Sequence, residues 1–408
     1  MADPTVAIEQ AIRATIDPTQ YAAHLSRSVA GTLNDGLPGT ALLLATLSTT
    51  DHTLARAAER HWEAAAPLLT NSPPDGIYRG PGALAASLII GSAYLPSAPT
   101  RRAALDHATA WLAARAQGLA RHQQRRRAAG HLGTPWGVYD VIKGLAGIGR
   151  ILLTAIRTHD SAAQQGLDAA LTTLTEMINT PADLPGWWLP AEEHVLPVPG
   201  TLPASGAATT GMAHGIAGPL ALLSLATRAG HTVPGQRRAI RSAAAWLLHW
   251  STSGPAWPPN ISGEALRHVP DMAGLATSLG RRDAWCYGTP GIATALVHAA
   301  QALDDDELHH TAQAAMDVLA RRSADSWDIT GPGLCHGSAG ILQAAHRTGH
   351  AELAQHAALR TAGLLLTAES RAAGYLTGTA GAALALADHH GLLPAPRGAA
   401  WDAPLVLQ

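Results

Sequence analysis

The sequence predicts an all-α protein, an (α/α)7 toroid of seven helical hairpins whose Gly-rich turns lie on one rim. Three observations predict this fold. A Gly-rich motif recurs seven times along the 408 residues, a helical apolar pattern follows each motif, and strand patterns are scarce. Because a repeat outweighs a division into domains by length, residues 1–408 are expected to form a single domain.

The seven motifs predict seven equivalent turns. Six of them read Gly-x-x-Gly, whereas the second, Gly80-Pro81-Gly82, is one residue shorter. If every turn leads into an inner helix of the same direction, all seven lie on one rim and their side chains meet in one pocket. The turns fall near residues 36–39, 79–82, 144–147, 215–218, 288–291, 337–340 and 378–381.

Apolar periodicity predicts two helices in each unit. After the fifth turn the apolar face consists of Ile292, Leu296, Ala299 and Leu303. An outer helix lies between motifs, and between the third and fourth its apolar face consists of Leu167, Leu171, Leu174 and Ile178. Two Pro- and Trp-rich segments are expected to form irregular caps with short strands: "PADLPGWWLPAEEHVLPVPG" and "GPAWPPNISGEALRHVP".

Composition excludes several classes of function. The hydrophobic content of 47%, the charged content of 14% and the net charge of −2 allow a large core and give no general attraction for nucleic acid. The start, "MADPTVAIEQAIRATID", lacks the basic and apolar regions of a secretory signal. The sequence contains no run of about 18 apolar residues, the length that a membrane-spanning helix needs. We therefore expect a cytoplasmic protein that is not integral to a membrane.

The two cysteines of the chain occupy matching places in neighbouring turns, "WCYGTPG" and "LCHGSAG". Cys286, Cys335 and His336 offer two thiolates and one imidazole, a common ligand set for catalytic zinc with a fourth position left open. The alternatives are two ordinary buried thiols or a disulfide. A reducing compartment and the repeated motif position favour the metal.

Two further candidates lie on the neighbouring turns, "AHGIAG" and "YDVIKGLAG". His214 directly precedes the first glycine of the fourth turn, and an imidazole can move a proton near neutral pH. Asp140 stands four residues before Gly144 and could orient that imidazole, although a capping or turn aspartate is the alternative.

These turns resemble the lanthionine synthetase C-like (LanC) family, the cyclases of class I lanthipeptide biosynthesis, from about Asn34 to Leu386. The resemblance implies an α,α-toroid with one Zn²⁺ per chain, held by Cys286, Cys335 and His336. It also implies four catalytic residues, namely His214, Asp140, Arg282 and Tyr287. Arg282 stands four residues before the first of the two cysteines and Tyr287 directly after it.

The family's reaction adds a cysteine of a precursor peptide to dehydroalanine or dehydrobutyrine in the same peptide, forming a (methyl)lanthionine thioether ring. The implied partners are a dehydrated precursor peptide with its leader, a separate dehydratase and an exporter. A complex with them would place the protein at the membrane periphery. We expect the dehydratase to be a different protein because this chain is too short to contain it as well.

Two other functions use the same site. A LanC-like enzyme could add a small thiol such as glutathione to dehydrated residues, and a non-catalytic scaffold could use zinc to bind peptides. Structural zinc has four protein ligands as a rule, so three favour catalysis. An arginine-rich stretch near 101–127 could bind the leader or form a solvated helix face. Addition of the thiolate to the dehydro residue leaves an enolate, and the sequence does not decide which residue protonates it.

Overall fold

A computed structural model describes residues 3–49, 51–69, 73–158, 162–194, 203–251, 256–268, 283–367, 373–394 and 399–408. In chain order its helices are α1 (Pro4–Thr15), α2 (Pro18–Ala22), α3 (Arg27–Ala30), α4 (Leu37–Leu47), α5 (Thr53–Ala65), α6 (Gly80–Gly91), α7 (Pro99–Ala128), α8 (Trp136–Tyr139), α9 (Leu145–Thr158), α10 (Ala162–Asn179), α11 (Ala217–Arg228), α12 (Gln236–His249), α13 (Gly263–Arg267), α14 (Thr289–Leu303), α15 (Asp306–Ala320), α16 (Ser338–Thr348), α17 (Ala351–Thr367) and α18 (Thr379–His389). In this part of the chain, no helix has the length and apolar content needed to cross a bilayer.

The Gly-rich turns lead directly into the inner helices of a closed ring, namely α4, α6, α9, α11, α14, α16 and α18. Each inner helix contacts the next, and α18 returns to contact α4. Proline occupies the first turn of α4, α6 and α14, where its missing N–H removes no helical hydrogen bond. The ring confirms the (α/α)7 toroid that the repeat predicts.

The outer layer is formed by α5, α7, α10, α12, α15 and α17, each packed on the inner helix that precedes it. The seventh outer position is filled from the other end of the chain. Helix α1 packs against α18, so the hairpin of the last motif is completed by the N-terminal helix. The repeat alone did not predict this pairing.

The inner and outer helices differ in burial. In α10, Leu167 and Leu171 are buried while Asp168 is exposed, as the pattern predicts. In α14 the apolar pattern of Ile292, Leu296 and Ala299 is buried as expected, and burial extends further, because every residue from Thr289 to Ala300 is buried. An inner helix is surrounded by both neighbours and its outer partner, so small residues rather than polar ones occupy its other faces.

At least one backbone hydrogen bond joins each turn to the next around the ring. The N–H belongs to the first residue of each pair and the carbonyl oxygen to the second: Leu33 and Tyr78 (3.0 Å), Ile77 and Ile142 (3.2 Å), Val141 and Ala213 (3.1 Å), Ala213 and Cys286 (3.2 Å), Cys286 and Cys335 (3.1 Å), Cys335 and Leu376 (2.9 Å), Leu376 and Asn34 (3.1 Å). The last bond connects the seventh turn to the first and closes the ring.

The second glycine of every motif packs against its own turn. A Cβ atom there would lie 1.7–2.7 Å from the carbonyl oxygen six residues earlier, closer than atoms can approach. The shortened second turn keeps the same contact, from Gly82 to Gly76, with Gly80 at a φ of +63° that glycine adopts without strain. The glycines are therefore required by close approach within the turn.

Three short strands lie in the predicted caps: β1 (Trp188–Leu189), β2 (Ala207–Thr209) and β3 (Asn260–Ser262). They form an antiparallel sheet in the order β1-β2-β3. Short 3₁₀ helices complete the described structure at Ala66–Leu69, Ser92–Tyr94, Ala191–Glu193, Ala324–Ser326 and Ala403–Leu405.

The arginine-rich stretch forms the long helix α7. Three of its arginines make ion pairs within the chain: Arg101 with Glu59 (3.3 Å), Arg126 with Glu193 (2.9 Å) and Arg127 with Glu176 (2.6 Å). These contacts favour the reading of α7 as an outer helix with a solvated face.

Residues 399–408 occupy the middle of the ring, a position that the sequence did not predict. Hydrogen bonds hold this segment from different sides of the ring. Tyr78 donates to the Pro404 carbonyl (2.8 Å), Trp285 Nε1 to that of Leu405 (2.9 Å) and Arg150 Nε to that of Gln408 (2.6 Å).

Replacing Gly381 by alanine is expected to destabilise the protein by about 1–3 kcal/mol, the usual cost of overpacking. The new Cβ would lie 1.8 Å from the Tyr375 carbonyl oxygen. Gly363 in α17 is the control, since a Cβ there meets no atom within 4 Å and should be neutral or stabilising. Urea unfolding followed by circular dichroism compares the two variants, and equal stabilities would contradict the role of the turn glycines.

Candidate active site

The hydrogen-bonded ring brings the fifth and sixth turns side by side. The Cys286 N–H donates to the Cys335 carbonyl at 3.1 Å. Neither cysteine forms a disulfide; Cys286 is buried, and Cys335 and His336 are half-buried. The ligand atoms of these three residues lie within 4.8 Å of one another. The structure thus assembles the cluster predicted from sequence.

The electrostatics of the cluster favour a thiolate. The pKa of the Cys286 thiol is held below its ordinary value, first by a hydrogen bond with the Cys335 side chain and then by the His336 ring. Burial acts in the opposite direction and raises this pKa. Soft, readily ionised sulfur ligands bind zinc in preference to harder cations.

The cluster fits a zinc ion on its donor chemistry. Zinc binds sulfur at about 2.3 Å and imidazole nitrogen at about 2.0 Å, so ligands this close together can share one ion. Within the described ranges no fourth histidine, cysteine or carboxylate joins the group. Three protein ligands leave one tetrahedral position for an exogenous group.

His214 and Asp140 form a hydrogen-bonded pair next to the cluster. His214 Nδ1 donates to Asp140 Oδ2 at 2.6 Å, and the carboxylate is fully buried. The other oxygen of Asp140 accepts from the backbone N–H groups of Lys143 (2.6 Å) and Gly144 (2.9 Å). With Nδ1 held, Nε2 is the nitrogen of His214 that can exchange a proton with a ligand.

Trp136 is a site residue that the sequence reasoning missed. Its indole stacks on the His214 ring with centroids 4.8 Å apart and planes at 16°. The same indole also meets the ring of His194 edge-on, with centroids 5.2 Å apart. The residue stands at the start of "WGVYD", four positions before Asp140, where the one-turn helix α8 brings it back over the pair. The four-residue spacing between Trp136 and Asp140 was the sequence feature that could have identified it.

Tyr287 completes the group around His214. The two rings are 6.4 Å apart at 38°. Burial raises the pKa of the Tyr287 phenol well above its ordinary value, and the nearby charges of Cys286 and Asp140 act in the same direction. The phenol therefore keeps its proton and can donate a hydrogen bond. The remaining predicted residue, Arg282, lies outside the described residues.

A closed α,α-toroid with a Cys-Cys-His cluster beside a His–Asp pair defines a narrow class of proteins. The sequence comparison agrees with it, since the lanthionine synthetase C-like protein family matches residues 27–393. The chain belongs to this family.

The chain is also similar to the nisin biosynthesis protein NisC of Lactococcus lactis subsp. lactis, with 25% identity over 210 residues. That alignment covers 50% of this chain and 48% of the relative, so it spans about half the length of that protein. Among solved structures, nisin cyclase matches 98% of this chain and 97% of its own with a TM-score of 0.78 and 19% identity. This likeness confirms the fold.

Replacing Asp140 by alanine is expected to cost at least about 2 kcal/mol of stability, because each buried donor left without an acceptor costs about 1–3 kcal/mol. The backbone N–H groups of Lys143 and Gly144 and the His214 ring would all lose their acceptor. Asp140→Asn keeps one oxygen and should cost less.

Asp168, an exposed aspartate of α10, supplies the matched control. Asp168→Ala should change the free energy of unfolding by less than about 0.5 kcal/mol, as surface substitutions do. Thermal and urea unfolding measure all three variants. Similar losses for Asp140→Ala and Asp168→Ala would show that the buried carboxylate does not hold these donors.

Proposed function

We propose that this protein is a zinc-dependent lanthipeptide cyclase. It would add a cysteine thiolate of a dehydrated precursor peptide to dehydroalanine or dehydrobutyrine, forming (methyl)lanthionine rings. The observation that carries the proposal is the convergence, on one rim of a LanC-family toroid, of the Cys286–Cys335–His336 cluster and the His214–Asp140 pair. The name of the solved structure that shares this fold, nisin cyclase, supports the same reaction type.

The reaction needs a sulfur nucleophile at neutral pH. A free thiol has a pKa of about 8.5 and is mostly protonated there, so it reacts slowly. A zinc ion held by Cys286, Cys335 and His336 would supply a deprotonated substrate thiol at its fourth position, because metal coordination ionises a thiol. The chain's own contribution is to present these three ligands close together and partly buried.

The second requirement is a proton for the substrate's α-carbon. Attack of sulfur on the β-carbon leaves an enolate, with negative charge on the carbonyl oxygen. In the proposal His214 delivers the proton from Nε2, while Asp140 holds Nδ1–H and fixes the ring. The Tyr287 phenol, kept protonated by burial, can donate a hydrogen bond to the oxygen that carries the charge.

The two parts of the site are rigidly connected. The backbone N–H of Ala213, the residue before His214, donates to the carbonyl of Cys286 at 3.2 Å. Proton donor and ligand cluster therefore sit on adjacent, hydrogen-bonded turns. Such preorganisation favours catalysis over a scaffold that only binds peptides.

Addition of a small thiol such as glutathione is the second candidate, since it would use the same cluster and proton donor. The alternatives predict different products from one dehydrated, cysteine-containing peptide. A cyclase converts it without a change of mass and blocks its cysteine, whereas small-thiol addition raises the mass by one thiol molecule.

The proposed reaction also defines partners and place. A dehydrated precursor peptide with a leader is the substrate, and a separate dehydratase must supply it. An exporter would remove the product, and such a complex would hold this cytoplasmic enzyme at the membrane periphery. Residues 1–408 would act in it as one LanC-like domain.

Purified protein is expected to hold one zinc ion per chain, and Cys286→Ala, Cys335→Ala and His336→Ala should each lose both zinc and thioether formation. His356→Ala is the control, because this exposed histidine of α17 lies outside the cluster. Plasma emission spectrometry measures zinc, and mass spectrometry after thiol alkylation measures ring formation. Wild type prepared without chelators and still free of zinc would refute the metal-dependent reaction.

His214→Asn is expected to lower kcat by about 10²–10⁴-fold, the range for loss of a general acid. Zinc content should stay at the wild-type level because His214 is not among the clustered ligands. Steady-state cyclisation kinetics, with zinc measured on the same preparation, test this. An unchanged kcat would exclude His214 as the proton donor.

A further inference from the structure

The hydrogen-bonded ring makes one motif position equivalent in all seven turns, the residue directly before the first glycine, here called the rim position. In turn order the rim residues are Asp35, Arg79, Lys143, His214, Tyr287, His336 and Thr377. Rim side chains of neighbouring turns meet in two places: the rings of His214 and Tyr287 are 6.4 Å apart, and the Thr377 hydroxyl donates to the Asp35 carboxylate. Three rim residues, His214, Tyr287 and His336, lie at the proposed site, so the rim position is where a turn can contribute a side chain to it.

Lys143 holds the rim position beside His214, on the side away from Tyr287. Its backbone N–H donates to Asp140 Oδ1 at 2.6 Å, while Oδ2 of the same carboxylate accepts from His214 at 2.6 Å. One buried carboxylate therefore positions both the proposed proton donor and the backbone that carries this ammonium group.

Lys143 is also unusual in the composition. Of the 28 lysine and arginine residues in the chain, only this one is a lysine. Arginine fits a rim position, since Arg79 occupies the one in the second turn. A compact ammonium and a planar guanidinium are not interchangeable at a site that contacts a ligand. A lysine at this single place points to chemistry that needs the ammonium.

The ion pair that Lys143 makes does not explain why this residue is a lysine. Lys143 Nζ lies 3.5 Å from Asp75 Oδ1, and the two side chains are 42% and 27% exposed. Pairs this exposed contribute about 0–1 kcal/mol, and arginine would form one equally well. The contact is weak enough to exchange for a ligand.

We propose that Lys143 is a catalytic residue whose ammonium binds the carbonyl oxygen of the dehydro residue, a role that rests on the proposed cyclisation. The substrate thiol gives its proton to solvent. The C–S bond forms at the β-carbon as the C=C pair moves towards that oxygen. His214 then gives its Nε2 proton to the α-carbon, the carbonyl re-forms and His214 regains a proton from water. Lys143 keeps its proton throughout and stabilises the charge.

The single lysine allows a selective chemical test on the full-length, zinc-loaded protein. Acetylation with N-acetoxysuccinimide removes the charge of Lys143 and is expected to lower kcat by about 10²–10³-fold, as loss of an oxyanion donor does. Reductive dimethylation keeps the charge and should cost less than about tenfold. Lys143→Arg cannot be acetylated at this position, so any effect of the reagent on this variant comes from the N-terminal amine of the protein.

Bound dehydrated peptide should slow the acetylation of Lys143. Peptide mass spectrometry measures the extent of this acetylation.

Two substitutions separate catalysis from structure. Lys143→Met should lower kcat as acetylation does, with KM and zinc content little changed, whereas Asp75→Asn removes the ion pair and should keep wild-type kcat. Equal losses in both variants, or an acetylated protein with full kcat, would overturn the role of Lys143 and leave the proposed function standing. Unmodified protein that forms no thioether would overturn both.

Discussion

Backbone hydrogen bonds from each motif turn to the next are the constraint on which the rest of the structure depends. Each contributes only about 1 kcal/mol net, so their importance lies in register rather than in total energy. Because the last bond returns to the first turn, no turn can shift without breaking a contact with a neighbour. Asp140, His214, Cys286 and Cys335, far apart in sequence, are thereby placed on consecutive members of one ring.

This register depends on backbone atoms and glycines, so the residue type at the rim positions can vary from turn to turn. The second glycine of each turn lies so close to a carbonyl oxygen that no side chain fits, and that contact shapes the turn in the same way seven times. The rim positions take no part in it. They can therefore carry an aspartate in one turn, an imidazole in another and a phenol in a third without changing the ring.

How much of this structure the sequence predicts depends on how far apart in the chain the contacting residues lie. Turn, inner helix and ligand cluster follow from local patterns, and Cys286 meets Cys335 because equal motif positions become neighbours. The pairing of α1 with α18 and the insertion of residues 399–408 depend on contacts between distant parts of the chain, which no local pattern records. The stacking of Trp136 on His214 likewise needs the ring to be closed first.

The segment in the middle of the ring explains how an assembly of seven hairpins holds a site still. Trp285 and Cys286 are adjacent in sequence, yet the indole binds the Leu405 carbonyl while the thiol joins the ligand cluster. Across the ring, Tyr78 binds the Pro404 carbonyl. A hollow ring could flatten by small rotations of its hairpins, whereas one filled by a hydrogen-bonded segment resists that change. Since a catalytic constellation must be held to within about 0.5 Å, the filled centre is as necessary to the site as its ligands.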